Sequence, residues 1–554
     1  MNDVASSGAE LLVRCLETQG VERLFCIPGA KVDKVVDCLV DSTIETIVCR
    51  HEQNAALMAQ ATGRLTGKAG VCLVTSGPGC TNLTTGLATA DYEGDPVVAL
   101  GGSVPLADRL KLSHQSLDAV SLFRPITKFA AEVTTGHGVT EAVASAFRGA
   151  EQGRPGAAFL ALPKDVMEGP APFASPSRTV NVARLGSPDA DDLREVAALI
   201  EQAEVPVLFL GMLATEPRVA EAVRELLRKT AMPVICTYQG AGVVPRDLLP
   251  CFAGRVGLSR NQPGDQLLDA ADLVLTVGFD PIEYDPGVWN RGKSRPIVHF
   301  DKVPAETDAD YWPMIELVGE TASALTGLAS CLAGDRNFSR LPQLVAARGE
   351  LAARKELGAK YDGSPIHPLR LIHEIQQMMG DEGTVICDVG SIYMWMSRYY
   401  FAFNPRHFLT SNGQQTLGVA LPWAIATCLV RPGTPILSMS GDGGFLFSAQ
   451  ELETAVRLKA NFVHLVWVDG SYDMVKIQQE PKYGRSHAVE LGPVDHVRYA
   501  EAFGATGLRI ANPSDIRPTL VKAFGIGGPV LVEIPIDYRD NPTLFESVHP
   551  DIGH

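Results

Sequence analysis

Short runs of apolar, often β-branched residues alternate with longer helical patterns along the whole chain. The clearest runs fall into three groups: Val71–Thr75 and Val97–Leu100; Val207–Leu210, Val234–Cys236 and Leu273–Val277; Val385–Cys387, Ile436–Met439 and Val463–Val468. Such runs predict buried parallel strands, because strands covered by helices on both faces are apolar throughout. Their alternation with helices is typical of parallel α/β units. We therefore predict an α/β protein with three doubly wound parallel sheets.

Two stretches between these groups interrupt the pattern. Residues 162–181 contain repeated prolines, which break helices and strands. Residues 334–366 combine a charged segment that favours a helix, Arg348–Glu356, with the turn-forming Gly363-Ser364-Pro365. These linkers predict an N-terminal domain over residues 1–165, a central domain over 185–340 and a C-terminal domain over 365–554, each of ordinary size.

Composition excludes several classes of function. The chain has 48 Lys and Arg residues against 64 Asp and Glu, a formal charge of −16, which disfavours binding to nucleic acid or to anionic membranes. No apolar run reaches the roughly 18 residues that span a bilayer, and the first residues do not have the pattern of a signal peptide. The 11 cysteines form no Cys-x-x-Cys pair, so reduced thiols and a cytoplasmic location are expected.

The most informative segment is Gly441-Asp442-Gly443-Gly444, which follows a predicted strand. Ser448-Ala449-Gln450-Glu451 is predicted to open the next helix as a capping box, and the strand after that helix ends at Asp469. One β-α-β crossover then places Asp442 and Asp469 at the carboxyl edge of neighbouring strands, where such sheets bind ligands. Two carboxylates suit Mg²⁺ and glycine amides suit a phosphate. For a Gly-Asp-Gly run by itself, a solvated surface turn is the alternative.

Two segments near the N terminus carry weaker signals. Arg50-His51-Glu52 lies between a predicted strand and helix, so Glu52 falls in a first helical turn, where the helix dipole alone favours a carboxylate. Thr75-Ser76-Gly77-Pro78-Gly79 joins a strand to a helix, as a phosphate loop does and as any tight βα turn does. Neither segment assigns a function by itself.

Together, these three segments resemble thiamine-diphosphate-dependent decarboxylases and synthases. The resemblance covers nearly the whole chain and is closest to the catabolic (butanediol-pathway) acetolactate synthases in Ile27–Lys31, His114–Ser116, Ser411–Trp423 and Glu451–Ala460. It implies a thiamine-diphosphate-binding fold. It also implies a transferase that condenses two pyruvates to 2-acetolactate and CO₂ through a hydroxyethyl-thiamine diphosphate intermediate.

The resemblance further implies roles for residues around thiamine diphosphate and Mg²⁺. Glu52 would hydrogen-bond the aminopyrimidine ring and favour its imino tautomer, so that the cofactor activates itself. Leu417 would hold the two cofactor rings in a bent shape, although ordinary core packing is its alternative. Asp442, Asp469 and the carbonyl of Ser471 would bind Mg²⁺. The other implied cofactor contacts are Thr75, Gly79, Gly390, Ser391, Gln415, Gly443, Gly444 and Met474.

Four side chains are implied near the substrate. Gln115 would face the second pyruvate, and His114 would orient the loop that carries it. Lys31 would join Glu52 and Gln115 in the catalytic group, and Gln478 would contribute to the acceptor site. Without the resemblance, Gln115 is equally consistent with a solvated loop position, and a solvated position is favoured for Lys31.

Departures from the wider family bear on metal and flavin. Asp469 stands where Asn is usual at the second metal position, which adds a negative charge but preserves a Mg²⁺ ligand. Biosynthetic relatives carry Arg-Phe-Asp-Asp-Arg where this chain has Gly278-Phe279-Asp280-Pro281. This replacement implies a central domain of flavin type without FAD.

The family pattern also implies a homodimer or homotetramer with active sites at the subunit interface. Two alternatives to a catabolic acetolactate synthase stay open. One is another thiamine diphosphate enzyme, such as a biosynthetic acetohydroxyacid synthase or a pyruvate oxidase. The other is a catalytically inactive regulatory relative.

Overall fold

A computed structural model describes residues 6–171, 175–334 and 336–545, and within these ranges it contains three six-stranded sheets. Every strand pairing in the three sheets is parallel, and helices connect successive strands. The predicted fold class is therefore confirmed. Each of the three predicted domain ranges contains one sheet. Residues 172–174 of the predicted first linker lie outside the described residues.

The first sheet has the strand order β2-β1-β3-β4-β6-β5. Its strands are β1 (Arg23–Ile27), β2 (Glu45–Val48), β3 (Gly70–Val74), β4 (Val97–Ser103), β5 (Phe129–Glu132) and β6 (Ala157–Pro163). Its helices are α1 (Gly8–Thr18), α2 (Asp33–Leu39), α3 (Glu52–Thr66), α4 (Pro78–Thr81), α5 (Thr84–Tyr92), α6 (Ala119–Phe123), α7 (Val139–Glu151) and α8 (Lys164–Glu168). The chain reverses its direction of travel between β1 and β3, which opens a crevice at the carboxyl ends of these two strands.

The central sheet has the order β12-β11-β10-β7-β8-β9, which is the arrangement of a dinucleotide-binding fold. Its strands are β7 (Pro206–Leu210), β8 (Val234–Thr237), β9 (Phe252–Val256), β10 (Leu273–Val277), β11 (Ile297–Asp301) and β12 (Ile315–Val318). Its helices are α9 (Ala190–Gln202), α10 (Pro217–Thr230), α11 (Pro263–Ala270), α12 (Pro286–Trp289), α13 (Thr321–Cys331) and α14 (Pro342–Gly358). Helix α14 includes the charged segment predicted to be helical.

The third sheet, β14-β13-β15-β16-β18-β17, repeats the order of the first. Its strands are β13 (Thr384–Cys387), β14 (Phe408–Thr410), β15 (Ile436–Gly441), β16 (Val463–Val468), β17 (Thr506–Arg509) and β18 (Val530–Pro535). The helices of this region are α15 (Pro368–Met379), α16 (Ser391–Tyr399), α17 (Ala420–Val430), α18 (Asp442–Phe445), α19 (Leu452–Arg457), α20 (Asp473–Tyr483), α21 (His496–Ala502), α22 (Ile516–Phe524) and α23 (Pro542–Phe545). Its crevice lies between β13 and β15.

The described chain divides into two compact units. Unit 1 contains Met1–Ala183 together with Leu421–Pro432 and Ser448–Ala460, so most of α17 and all of α19 belong with the first sheet. Unit 2 contains the rest, including the central and third sheets. Apolar side chains of strands and helices form the cores, as strands buried on both faces require. Within the described ranges, no helix is long and apolar enough to cross a membrane.

Candidate active site

Glu52 is the first residue of α3, directly after the connection from β2. The preceding residue, His51, caps the helix, because its Nδ1 accepts the backbone N–H of Gln53 at 3.1 Å. The amide of Asn82 donates to Glu52 Oε2 at 2.9 Å. Glu52 is half-buried, so one side of its carboxylate is fixed by the chain and the group stays accessible to a ligand.

The crevice between β1 and β3 in unit 1 lies at Thr75. A Cβ on Gly29, in the loop after β1, would come within 2.6 Å of the Thr75 Cβ, so only glycine permits this approach. The Thr75 hydroxyl is buried and has no hydrogen-bond partner among the described residues. Gly79 follows at the start of α4 and is buried as well. A buried hydroxyl without a partner suits a polar ligand at this edge.

The loop that carries His114 and Gln115 meets the same crevice. Gln115 adopts φ +62°, and its Oε1 accepts the hydroxyl of Ser76 at 3.1 Å. A Cβ on Gly77 would lie 2.9 Å from the Gln115 Cβ, so the two loops are tightly fitted. Lys31 is half-buried in the loop after β1, whereas His114 is exposed. In unit 1, Ser76 and Gly77, which follow Thr75 in the chain, contact Gln115. Thr75 and Gln115 therefore lie in adjoining loops.

Asp442 and Asp469 lie at the carboxyl ends of β15 and β16, which pair in parallel in unit 2. Asp442 begins α18, and its two oxygens accept the backbone N–H groups of Gly443 at 3.0 Å and Gly470 at 2.8 Å. Asp469 accepts the hydroxyl of Ser471 at 2.5 Å. The β-α-β crossover therefore brings the two carboxylates to adjacent strand ends.

The electrostatics of this edge favour a cation. Burial raises the pKa of Asp442 above its usual range. Burial also raises the pKa of Asp469 to about 7, and the negative charges of Asp442 and Asp473 add to that shift. No cluster of three metal-binding side chains occurs in the described ranges. A cation here would thus be held by two carboxylates, a backbone carbonyl and oxygens of its ligand, a set that suits Mg²⁺.

Two glycines of this edge, Gly441 and Gly470, border open space. Gly390 has φ +133° and precedes α16, whose first residue, Ser391, donates its hydroxyl to Asp473 at 2.5 Å. A Cβ on Gly441 or Gly470 would meet no atom within 4 Å among the described residues, apart from chain neighbours. Backbone amides bordered by open space suit a phosphate group.

A buried carboxylate organises the loop before α17. Asp388 is fully buried, and its Oδ1 accepts the N–H of Gly418 at 2.9 Å while Oδ2 accepts the hydroxyl of Ser440 at 2.7 Å. Gly418 follows Leu417, which is half-buried rather than part of the core, and Gln415 in the same loop has φ +47°. The loop with Leu417 is thereby tied to the strand end that leads to Asp442.

Helix α20 carries the remaining predicted residues. Met474 is half-buried, Gln478 is exposed, and none of the residues of α20 is buried. The first residue of the helix, Asp473, accepts hydrogen bonds from Ser391 and Asn541. The start of α20 is therefore anchored, and the face of the helix stays accessible.

The crevice of the central sheet is filled by the chain itself. Gly211 follows β7 and Gly278 follows β10, and a Cβ on Gly211 would lie 2.2 Å from the carbonyl oxygen of Gly278. The carboxylate of Glu283 accepts the N–H of Met212 at 2.9 Å and the hydroxyl of Thr237 at 2.5 Å. The N–H of Met212, directly after Gly211, thus already has a partner.

Three models of thiamine pyrophosphate enzymes match consecutive parts of the chain. They are the N-terminal TPP binding domain over residues 6–122, the central domain over 193–328 and the C-terminal TPP binding domain over 388–534. The chain is 50% identical over 550 residues to the acetolactate synthase of Bacillus subtilis. These residues are 99% of this chain and 96% of that relative.

The chain belongs to the acetolactate synthase family of thiamine pyrophosphate enzymes. It is also 48% identical to the catabolic acetolactate synthase of Raoultella terrigena, covering 98% of this chain and 97% of that one. Identity falls to 30% with the acetolactate synthase isozyme 2 large subunit of Escherichia coli, over 97% and 96% of the two chains. The predicted family is therefore confirmed.

In this acetolactate synthase family member, sequence reasoning missed Asn82 and Asp388 and misread Glu451. The capping box predicted at Ser448–Glu451 is wrong: these residues begin a 3₁₀ turn, and the Glu451 carboxylate accepts hydrogen bonds from α3 and its N-terminal connection. Asp388 stands directly after a strand and between two apolar residues, Cys387 and Val389. An acidic residue in that setting indicates a buried hydrogen-bond acceptor. Nothing local to Glu451 indicated its partners.

Proposed function

We propose that the chain is a catabolic-type acetolactate synthase that converts two pyruvates to 2-acetolactate and CO₂, with thiamine diphosphate and Mg²⁺, in the cytoplasm. The observation that carries this proposal is identity of 50% and 48%, over nearly the full length, to two acetolactate synthases, one of them named catabolic. The geometry of two strand edges, called half-sites here, supports the proposal further. The half-site at the first sheet presents polar groups that suit the aminopyrimidine, and the half-site at the third sheet presents groups that suit the diphosphate and Mg²⁺.

The residues of unit 1 fit the aminopyrimidine side of thiamine diphosphate. Glu52 would hydrogen-bond a ring nitrogen of the aminopyrimidine, while Asn82 holds its other oxygen in place. The unpartnered hydroxyl of Thr75 supplies a further polar contact, and Gly79 allows close approach. When bound, thiamine diphosphate supplies the nucleophilic carbon and the electron sink that decarboxylation of a 2-keto acid requires.

The residues of unit 2 fit the diphosphate and its metal. Asp442, Asp469 and the Ser471 carbonyl bind Mg²⁺, and Gly390, Ser391, Gly443 and Gly444 face the phosphate oxygens. Leu417 and Gln415 project from the loop that Asp388 fixes and, with Met474, orient the cofactor rings. The mutual repulsion of Asp469 and its neighbours is relieved by the cation.

Pyruvate is recognised by polar side chains. Lys31 provides a positive charge for the substrate carboxylate. Gln115, held by Ser76, donates its amide to a carbonyl oxygen where negative charge develops. His114 orients the Gln115 loop, and Gln478 contributes to the acceptor site.

We further propose that the central domain functions without FAD. Glu283 accepts the N–H of Met212, and the N–H of Leu213 is taken by the carbonyl oxygen of Gly278. A flavin diphosphate at this crevice would have to displace a buried side chain. This arrangement supports the catabolic-type assignment over a biosynthetic one.

The experiment is an assay of 2-acetolactate formation by purified, cofactor-stripped protein. We expect turnover only after thiamine diphosphate and Mg²⁺ are both restored, with no change on adding FAD and no flavin absorbance. A flavin requirement would point to a biosynthetic acetohydroxyacid synthase, and oxygen consumption to a pyruvate oxidase. Absence of any turnover would favour an inactive relative. Glu52→Gln should keep the fold but lose most activity.

We also propose that the active unit is a homodimer or homotetramer in which two subunits share each site. Apolar side chains near both half-sites support this: Leu110 and Leu112 are fully exposed beside the Gln115 loop, and Leu446 and Phe447 are about half exposed beside Asp442. Apolar residues that are exposed together on a surface often mark a contact with a partner.

Refolding a mixture of Glu52→Gln and Asp442→Ala chains tests this arrangement. Mixed dimers contain one intact and one doubly damaged site, so about a quarter of wild-type activity should return. Mixed dimers that form but stay inactive would place each site within one subunit.

A further inference from the structure

Glu451 is a fully buried carboxylate whose partners lie some 400 positions earlier in the chain. Its Oε1 accepts the backbone N–H of Arg50 at 2.9 Å and that of His51 at 3.1 Å, and the side-chain amide of Asn54 at 3.0 Å. Its Oε2 accepts the hydroxyl of Thr454 at 2.6 Å. All of these residues belong to unit 1.

These hydrogen bonds fix the chain on both sides of Glu52. The N–H groups of Arg50 and His51 precede Glu52, and Asn54 follows it in the first turn of α3. Arg457, on α19, donates to the carbonyl oxygen of Val48 in the strand before that turn. The segment Ser448–Ala460 therefore holds the β2–α3 connection by hydrogen bonds to its backbone.

Glu453, two residues further on, has a different environment. Its carboxylate forms a 3.1 Å ion pair with Arg457 and a 3.6 Å ion pair with the side chain of Arg50, and its side chain is 35% exposed. It accepts no hydrogen bond from the backbone of residues 50–52 among those found in the described chain. Glu453 therefore serves as a matched control for Glu451.

We propose that Glu451 is a positioning residue for Glu52: its carboxylate sets the backbone from which Glu52 reaches the cofactor. This inference rests on the role of Glu52 given under the proposed function. The physical reason is the sensitivity of catalysis to position, since a displacement of about 1 Å can lower the rate by about 10²-fold. Without the buried Glu451 carboxylate, two adjacent N–H groups would lose their acceptor, and the connection would shift towards other partners.

The test compares Glu451→Met, Glu451→Gln and the control Glu453→Met. Methionine matches glutamate in length but accepts no strong hydrogen bond, whereas glutamine preserves an acceptor oxygen. We expect Glu451→Met to lower kcat by about 10- to 100-fold with the pyruvate KM within about threefold of wild type. Glu451→Gln should recover most of kcat, and Glu453→Met should stay near wild type.

Hydrogen exchange of the cofactor-free protein provides a readout independent of activity. The amides of Arg50 and His51 should exchange slowly in the wild type and at least about tenfold faster in Glu451→Met, while β3 and β4 stay protected. Wild-type amides that exchange as fast as open loops would overturn the proposal, even if the Met variant does not fold. Equal kcat losses in the Gln and Met variants would also overturn it.

The two hypotheses fail in different ways. If Glu52→Gln retains normal turnover, the proposed role of Glu52 is wrong, whatever the exchange rates show. If Glu52→Gln is inactive but Glu451→Met has wild-type kcat, the positioning role alone is wrong.

Discussion

The central and third sheets of unit 2 are both parallel, but the packing at their carboxyl edges differs. At the central edge, Gly211 and Gly278 are packed so closely that an added Cβ would lie 2.2 to 2.5 Å from backbone atoms, and Glu283 accepts the nearby N–H. At the third edge, a Cβ on Gly441 would meet no described atom within 4 Å beyond its chain neighbours. Gly211 and Gly278 thus serve tight packing at the central edge, whereas Gly441 borders open space at the third edge.

A buried carboxylate lies near each of the two edges. The two carboxylates differ in the groups from which they accept hydrogen bonds. Glu283 points into the central crevice and satisfies the amides there. Asp388 instead accepts from Gly418 and Ser440 and so supports the loops around the crevice. The comparison teaches that two parallel sheets can differ at their carboxyl edges through the hydrogen bonds of one buried side chain.

The largest expected effect comes from removing a carboxylate at the open edge. Asp442→Ala should weaken apparent binding of thiamine diphosphate and Mg²⁺ together, by about 10²-fold or more, because it removes a carboxylate that we propose binds the metal. Cofactor saturation curves measure this. Asp280→Ala at the closed edge is the control and should leave both curves unchanged. Equal effects of the two variants would remove the distinction between the edges.

Filling the closed edge should be the next largest effect. Gly211→Ala should lower the free energy of unfolding by about 3 kcal/mol, because its methyl group would overlap the Gly278 carbonyl and the backbone must shift. Urea unfolding measures the change. A loss below about 1 kcal/mol would mean that the crevice is less tightly packed than the structure indicates.

Glu283 should make stability depend on pH. Burial raises its pKa from an ordinary value near 4.5 to about 8. The folded state therefore binds the proton more tightly, and stability should fall as the pH rises from about 4.5 to 8. Glu283→Gln lacks this ionisation, so relative to wild type it should gain at least about 1 kcal/mol between pH 5 and pH 8.5.

Unfolding free energies at several pH values test this sign. Glu316→Gln, an exposed carboxylate on the edge strand of the same sheet, is the control and should show the wild-type slope. A Glu283→Gln variant that keeps the wild-type slope would show that Glu283 ionises normally and that its crevice is hydrated.

The smallest effect is expected from Gly441→Ala. Its φ of −67° suits alanine and its surroundings are open, so the free energy of unfolding should change by less than about 0.5 kcal/mol. The same urea measurement used for Gly211→Ala allows direct comparison. Destabilisation as large as that of Gly211→Ala would contradict the open edge.

The fold was largely predictable because its signals are local. The run Val463–Val468 is a strand with the same bounds in the structure, and Val71–Thr75 is shifted by one residue, to Gly70–Val74. The strand predicted over Ile436–Met439 continues to Gly441. The crossover between Asp442 and Asp469 followed from the fixed handedness and short connections of parallel sheets. The roles of Lys31, Gln115 and Gln478 stay predictions.

The sequence by itself determined the strands, the three-sheet class, the family and the edges at which acidic residues and glycines gather. Tertiary structure decided what each edge does: Glu283 closes one crevice, Asp388 supports another, and Glu451 binds the chain beside Glu52 rather than its own helix. The physical reason is the distance along the chain over which each interaction acts. Apolar periodicity and turn chemistry act over a few residues, whereas a buried carboxylate takes whichever unpaired N–H groups the folded chain brings to it.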